Sequence, residues 1–138
     1  METEFNNFTP VMKKCVVFIF LALAIVSCSK DPTLSINTKI IGVFYTGHFE
    51  RNGMTSYVEL EFSSNMVTGN SDHQYFPAIC AATYEIHGST ITFENTCIWP
   101  AHFDWSLILN GTWHFSMGNE QLTLTHPNGD VYILNKLP

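Results

Sequence analysis

The sequence predicts an all-β fold, a small antiparallel up-and-down barrel with a β-sandwich as the alternative. Three observations carry that prediction. Apolar residues alternate with polar ones at period two almost throughout the chain after residue 39. Tight-turn residues separate the alternating runs, and strands joined by tight turns must pair antiparallel. Finally, one face of each run is apolar, so the sheet has to close on itself or stack against a second sheet.

The runs follow in order. "KIIGVFYTGHFE" opens the domain as the first strand. In "SYVELEFS", Val58, Leu60 and Phe62 share one face, while Tyr57, Glu59 and Glu61 share the other. "ATYEIHG" sets Tyr84 and Ile86 opposite Glu85 and His87; Gly88 and Ser89 turn the chain, and "TITFEN" points Ile91 and Phe93 inward. "DWSLILNGTWHFSM" reads as a hairpin, with Trp105, Leu107 and Leu109 on one side. Its turn is Asn110-Gly111, and Trp113, Phe115 and Met117 follow. "QLTLTH" and "DVYILNK" finish the chain across the turn Pro127 to Asp130. Seven to nine strands and no helix are expected.

The segment before the strands is of another kind. An apolar run from Cys15 to Val26 follows Met12, Lys13 and Lys14. It has the length of a signal-peptide core and falls short of the ~20 residues that span a bilayer. Ile25, Val26, Ser27 and Cys28 resemble a bacterial lipobox, in which a small residue admits the peptidase and the following thiol accepts a diacylglyceryl group. The resemblance implies a signal peptide over 1–27, with 1–11 a misplaced start before Met12. It also implies a lipidated Cys28, a tether over 28–38 and a β domain over 39–138. Two or more acyl chains make membrane anchoring stable, at about 0.8 kcal/mol per buried methylene. The expected address is the outer membrane of the cell envelope. Lys30-Asp31 resembles a surface-export signal, but Pro32 stands where a second acid belongs, so the periplasmic and outer faces both remain open.

Beyond Cys28 the only basic residues are Lys30, Lys39, Arg51 and Lys136, and the formal net charge of the chain is −6. Phosphate binding needs clustered lysine and arginine, so nucleic acid is excluded as a partner. With Cys15 removed and Cys28 lipidated, Cys80 and Cys97 remain. An oxidising compartment makes a disulfide the default reading, worth about 3 kcal/mol in the loop-entropy model. Two free buried thiols are the alternative, and a metal site lacks C-x-x-C spacing.

The order of strands, the Gly42-Val43-Phe44 opening and the "ATYEIHGSTITFEN" hairpin resemble the lipocalin-like (calycin) lipoproteins of the bacterial envelope, over roughly Ile40 to Leu134. Phe44 takes the place of the tryptophan in the family's Gly-x-Trp, where it would plug the barrel floor. Residues Gly118 to Leu124, "GNEQLTL", also resemble META-type envelope domains. The lipocalin resemblance implies burial of a small apolar or amphiphilic ligand in the barrel. Phe62, Tyr84, Phe93, Trp99, His102, Trp105, Trp113 and Phe115 are its candidate ligand-binding residues.

Other readings compete with that one. "ENTCIWPAHFDW", residues 94 to 105, is the least strand-like segment, and in a barrel it belongs near a mouth. His102 and Asp104 there form a candidate orienting pair, but no nucleophile motif accompanies them. No enzyme is therefore expected. His48, His73, His87, His102, His114 and His126 lack metal-ligand spacing, so neither metal nor cofactor is expected. Exposed Tyr57 and Tyr75 would suit stacking on sugars. From a different class comes an interaction module, of protease- or lysozyme-inhibitor type. It would act on an envelope protein through loops such as His48 to Met54 and Thr96 to Phe103. The chain is expected to be monomeric.

Overall fold

A computed structural model describes residues 39–138; the leader, Cys28 and the tether to residue 38 lie outside the described residues. Period-two alternation produces strands, and here eight of them close into a barrel in which each pairs antiparallel with the next and β8 returns to β1. The strands are β1 (Val43–Arg51), β2 (Met54–Phe62), β3 (Met66–Ser71), β4 (Ala81–His87), β5 (Thr90–Asn95), β6 (Gly111–Met117), β7 (Gln121–Thr125) and β8 (Val131–Lys136). Between the barrel and sandwich alternatives, the β1–β8 ladder decides. It runs from Tyr45 opposite Lys136 to Glu50 opposite Val131 and leaves the sheet no free edge.

Facing follows the alternation. Val58, Leu60, Phe62, Ile86, Ile91 and Phe93 are buried as predicted, and Glu59, Glu61, Glu85 and His87 lie on the outer side of their strands. An eight-stranded barrel has an interior just wide enough for side chains to fill. Two aromatic layers fill this one. Tyr45, Phe62, Tyr84 and Phe93 meet in the half nearer the N-terminus, with ring centroids 5.3 to 6.5 Å apart. Phe49, Tyr132 and Trp113 meet in the other half, at 4.9 and 5.2 Å. Ile40, fully buried, closes the N-terminal end.

Four expectations need correction. Phe44 does not plug the floor: it sits on the outward parity of β1 and is exposed, while Tyr45 and Ile40 point in. No strand covers Asp104 to Leu109; Trp105–Leu107 is a 3-10 turn capped by the Asp104 side chain, which accepts from Ser106 N at 2.9 Å. Trp105 therefore faces solvent rather than the core. Asn110-Gly111 is no hairpin turn either, because β6 pairs with β5 across the whole 96–110 connection. Asn52-Gly53 instead forms a two-residue hairpin turn, both residues at positive φ (52° and 77°), the signature of a type I′ turn between β1 and β2.

Sequence patterning also missed β3, whose only buried apolar side chain is Val67. Gly69, Asn70 and Ser71 are weak strand formers, held here by pairing with β2. Two glycines let neighbouring strands pass closely. A Cβ at Gly69 would lie 2.1 Å from Glu59 O, and one at Gly47 would lie 2.0 Å from Ile133 O and 2.9 Å from Leu134 Cα. Neither obstacle is a flexible side-chain end, so the strands themselves would have to move.

Gly47 lies on the closing seam, which makes it the sharper test. Gly47→Ala is expected to destabilise the barrel by about 3 kcal/mol, at the upper end of overpacking costs. Urea unfolding followed by far-UV circular dichroism measures this; a loss under 0.5 kcal/mol would mean the seam can shift freely.

Candidate functional site

Up-and-down topology sorts the connections between two ends. The N-terminal end carries residue 39 and the short turns 63–65, 88–89 and 118–120. The opposite end carries 52–53, 126–130 and both long connections, 72–80 and 96–110. The two stretches expected to form contacts, His48 to Met54 and Thr96 to Phe103, thus share one end. Among the described residues, irregular backbone is concentrated there, which is where binding residues are ordinarily carried by a rigid scaffold.

The long connections are fastened to each other and to the barrel. Cys80 and Cys97 form a disulfide, which settles the choice between bonded and free thiols. Ala78 and Ile108 make a parallel bridge, with Ala78 N donating to Leu107 O at 2.9 Å and Leu109 N to Ala78 O at 3.1 Å. Phe76 packs edge-on against Phe49, 5.4 Å between centroids, so the 72–80 loop covers the barrel mouth. Asp72 ties the same loop to β2, accepting from Ser56 Oγ at 2.6 Å and Tyr57 N at 2.9 Å.

Arg51, at the end of β1, joins three elements. Its Nε donates to Asp130 Oδ1 at 2.7 Å and a terminal nitrogen bonds Asp130 Oδ2, a bidentate pair with the β7–β8 turn. The other terminal nitrogen reaches Ser106 Oγ at 2.8 Å and Asp104 Oδ2 at 3.3 Å, and the Ser106 carbonyl accepts at 2.8 Å. The side chains of Arg51 and Asp130 are 12% and 4% exposed, so the pair is almost dry. Hydrogen bonding to Asp130 holds the Arg51 pKa above its ordinary value against the opposing effect of burial. Asp104 is spent on Ser106 and Arg51, and no hydrogen bond joins it to His102 among the described residues. The expected orienting pair does not form.

On the outside of this end lies an aromatic surface. Tyr75 stacks on Phe103 at 5.0 Å, and Phe103 on Trp105 at 6.2 Å. Trp99 packs against Tyr75 and Phe103 at 5.9 and 5.6 Å. Tyr75 holds a left-handed backbone, φ 62°, which is costly for an aromatic residue and persists only when its surroundings over-determine it. Trp105 is 58% exposed and Ile98 100%.

The eight residues expected around a ligand separate accordingly. Phe62, Tyr84 and Phe93 contact one another inside the barrel, and Trp113 packs on Tyr132 and His126. Phe115 is buried in the same core. Trp99, His102 and Trp105 lie outside, on the 96–110 loop. Beneath the disulfide, a crevice bordered by Val67, Ala78 and Leu109 has no room for a water molecule. A hollow of about 450 Å³ opens on the outer surface of β4 and β5, with Thr83, Glu85, Thr92 and Glu94 among its lining residues. Among the described residues no three His, Cys, Asp or Glu side chains converge as metal ligands would. Sequence reasoning covered Arg51 and Ile98 only as members of the two expected contact loops and gave neither a role of its own; a lone arginine and one isoleucine in a loop carry no periodic signal. No family model, curated protein or solved structure matches the chain.

Asp72 and Asp104 give the loop end a pH dependence. Hydrogen bonds from Ser56 and then His73 hold the Asp72 pKa below its ordinary value, and those from Ser106 do the same for Asp104. A carboxylate with a depressed folded pKa contributes fully above its unfolded value of about 3.9, and that contribution is lost as pH falls through the folded value. The loop end is therefore expected to loosen below about pH 4. Tryptophan emission during an acid titration should shift there, and Asp72→Asn with Asp104→Asn should remove the shift. An unchanged titration in the double variant would rule these carboxylates out.

Proposed function

We propose that this chain is a lipid-anchored binding protein of the cell envelope, not an enzyme, and that it engages a protein partner through the loop end of its barrel. One observation carries the proposal. The interior is occupied by its own aromatic rings, while the irregular backbone gathers at one end into a braced surface with exposed Trp105 and Ile98. Tryptophan and tyrosine concentrate in the energetic centres of protein interfaces, where large rigid rings bury area at little entropic cost. The barrel supplies the rigidity, and the disulfide with the Arg51 clamp fixes the loops. The filled core favours this over burial of an apolar ligand inside a lipocalin-like barrel. The lipobox-like Ile25 to Cys28 supports the anchor, and residue 39, the first described, lies at the end opposite the loops.

Two measurements test the proposal. Full-length protein should show no saturable uptake of a fluorescent fatty acid at micromolar ligand. A photo-reactive group at Trp105 should cross-link to a member of a panel of purified peptidases and lysozymes, and the same group at Tyr57 should not. Saturable uptake without cross-linking would return the function to the barrel interior. For the anchor, Cys28→Ala should abolish palmitate labelling and release the protein from the membrane fraction. Labelling that persists in this variant would dismiss Cys28 as the lipidated residue.

A further inference from the structure

The exposed large apolar side chains of the described residues fall into groups. Tyr57 and Ile133 stand on the barrel wall, and Met54, Ile98 and Trp105 stand at the loop end. The other four, Ile41, Phe44, Met66 and Leu137, are between 37% and 44% exposed, and all lie at the opposite rim. Main-chain hydrogen bonds make these four neighbours. Leu137 N donates to Phe44 O, Gly42 N to Phe62 O and Ser63 N to Met66 O, each at 2.8 Å. They form one arc across the rim ends of β8, β1, β2 and β3. Exposed apolar patches bordered by polar residues mark contact with a membrane or a protein.

Charge separates this rim from the loop end. Lys39 and Lys136, the two lysines of the described residues, are both exposed at the rim. No ion pair engages either of them among those residues. Glu61 and Glu120 offset them, so the rim is formally neutral. The loop end carries Glu50, Asp72, Glu94, Asp104 and Asp130 against Arg51. A bilayer containing anionic lipid repels the second end and admits the first, where lysine stems can lie along apolar surface with their ammonium groups at the phosphates.

The attachment selects the membrane over a protein. Residue 39 is at this rim, and residues 29–38 lead from it back to Cys28. At about 3.3–3.6 Å per residue, that stretch keeps the rim within about 40 Å of a lipidated cysteine. Held so close, even a weak contact is made, because the anchor turns it into an intramolecular event. We infer, resting on the lipid-anchor reading, that the bilayer covers this rim, with Ile41, Phe44, Met66 and Leu137 in its interfacial layer and Lys39 and Lys136 at the phosphates. The acyl chains hold the protein to the membrane, and the rim fixes which way the barrel stands. Allowing for strand tilt, the nine-residue β2 then carries the loop end about 25 Å clear of the lipid.

The test has a control built into the chain. Its three tryptophans, Trp99, Trp105 and Trp113, lie at or near the loop end. Full-length lipidated protein is reconstituted in vesicles of phosphatidylethanolamine and phosphatidylglycerol whose acyl chains carry bromine near the headgroup, a short-range quencher. Emission of the natural chain should be unquenched. Leu137→Trp should add blue-shifted emission that the brominated lipid quenches about threefold, as for an indole at the interface. Adding Ile41→Glu and Phe44→Glu should abolish that quenching while the protein still floats with the vesicles. The replaced side chains point outward, so thermal midpoints should match across the set, which separates docking from folding. Quenching of the natural chain overturns the inference, because the loop end would then be the docked one. An added tryptophan that stays unquenched in a floating protein also overturns it and leaves the anchor standing. If aqueous iodide fails to reach that tryptophan as well, a second copy or another protein covers the rim instead. If the natural chain neither floats nor takes a palmitate label, the anchor fails and the inference falls with it.

Discussion

Closure of β8 onto β1 is the constraint on which the rest of this molecule depends. It removes the sheet's edges and sets which way every side chain points. It also divides the connections between two ends, one with short turns and one with long loops. The seam is possible because Gly47 lets the β8 backbone pass where any side chain would collide. Once closed, a barrel of eight short strands has little interior to spare, and Tyr45, Phe49, Phe62, Phe93 and Tyr132 consume it.

A filled barrel leaves its polar interactions to its ends. The Arg51–Asp130 pair lies where β1 and the β7–β8 turn meet, and it extends to Asp104 and Ser106 on the 96–110 loop. Burying two charges is costly, and the pair offsets that cost only through its bidentate geometry and the additional bond from Asn128 to Asp130. Removing either partner from such a pair typically costs about 3–5 kcal/mol, because the survivor is left buried and uncompensated. A clamp of this kind adds little over a packed apolar contact in stability. What it does fix is the position of the loop relative to the barrel.

Much of the barrel was legible because alternation is a direct readout of which face is buried. The facings of Val58, Leu60, Phe62, Tyr84, Ile86, Ile91 and Phe93 all follow from it, and the disulfide expected between Cys80 and Cys97 is present. β3 was illegible, since Val67 alone carries its apolar face and its pairing is imposed by neighbours. The loop end was half legible. "ENTCIWPAHFDW" stood out as a departure from alternation, which placed a loop near a mouth but could not orient its side chains. Trp105 illustrates the failure: at the parity of Leu107 and Leu109 it reads as core. A local bond from Asp104 to the Ser106 N–H turns the chain into a 3-10 turn and puts the indole in water.

Two of the three Asn-Gly pairs, Asn52-Gly53 and Asn110-Gly111, show where local signals end and tertiary structure takes over. At Asn52-Gly53 the dipeptide lies between strands already obliged to pair, and both residues adopt the positive φ of a type I′ turn. At Asn110-Gly111 the glycine again has positive φ, at 75°, so the local chemistry is realised. No strand precedes it, however. The Asn110 side chain turns back to accept from Asn95 N, and its carbonyl accepts from the Trp113 indole at 3.0 Å. The same dipeptide thus joins two strands in one place and, in the other, ties a long loop to the root of its own stem. That second use is what holds Asn95 still, and with it the residues on either side of Ile98. A sequence signal for a hairpin has become part of the support of an exposed loop tip. The difference lies in what precedes the pair: a strand in one case, and in the other a loop drawn over the barrel mouth by the bridge to Ala78 and the disulfide at Cys97.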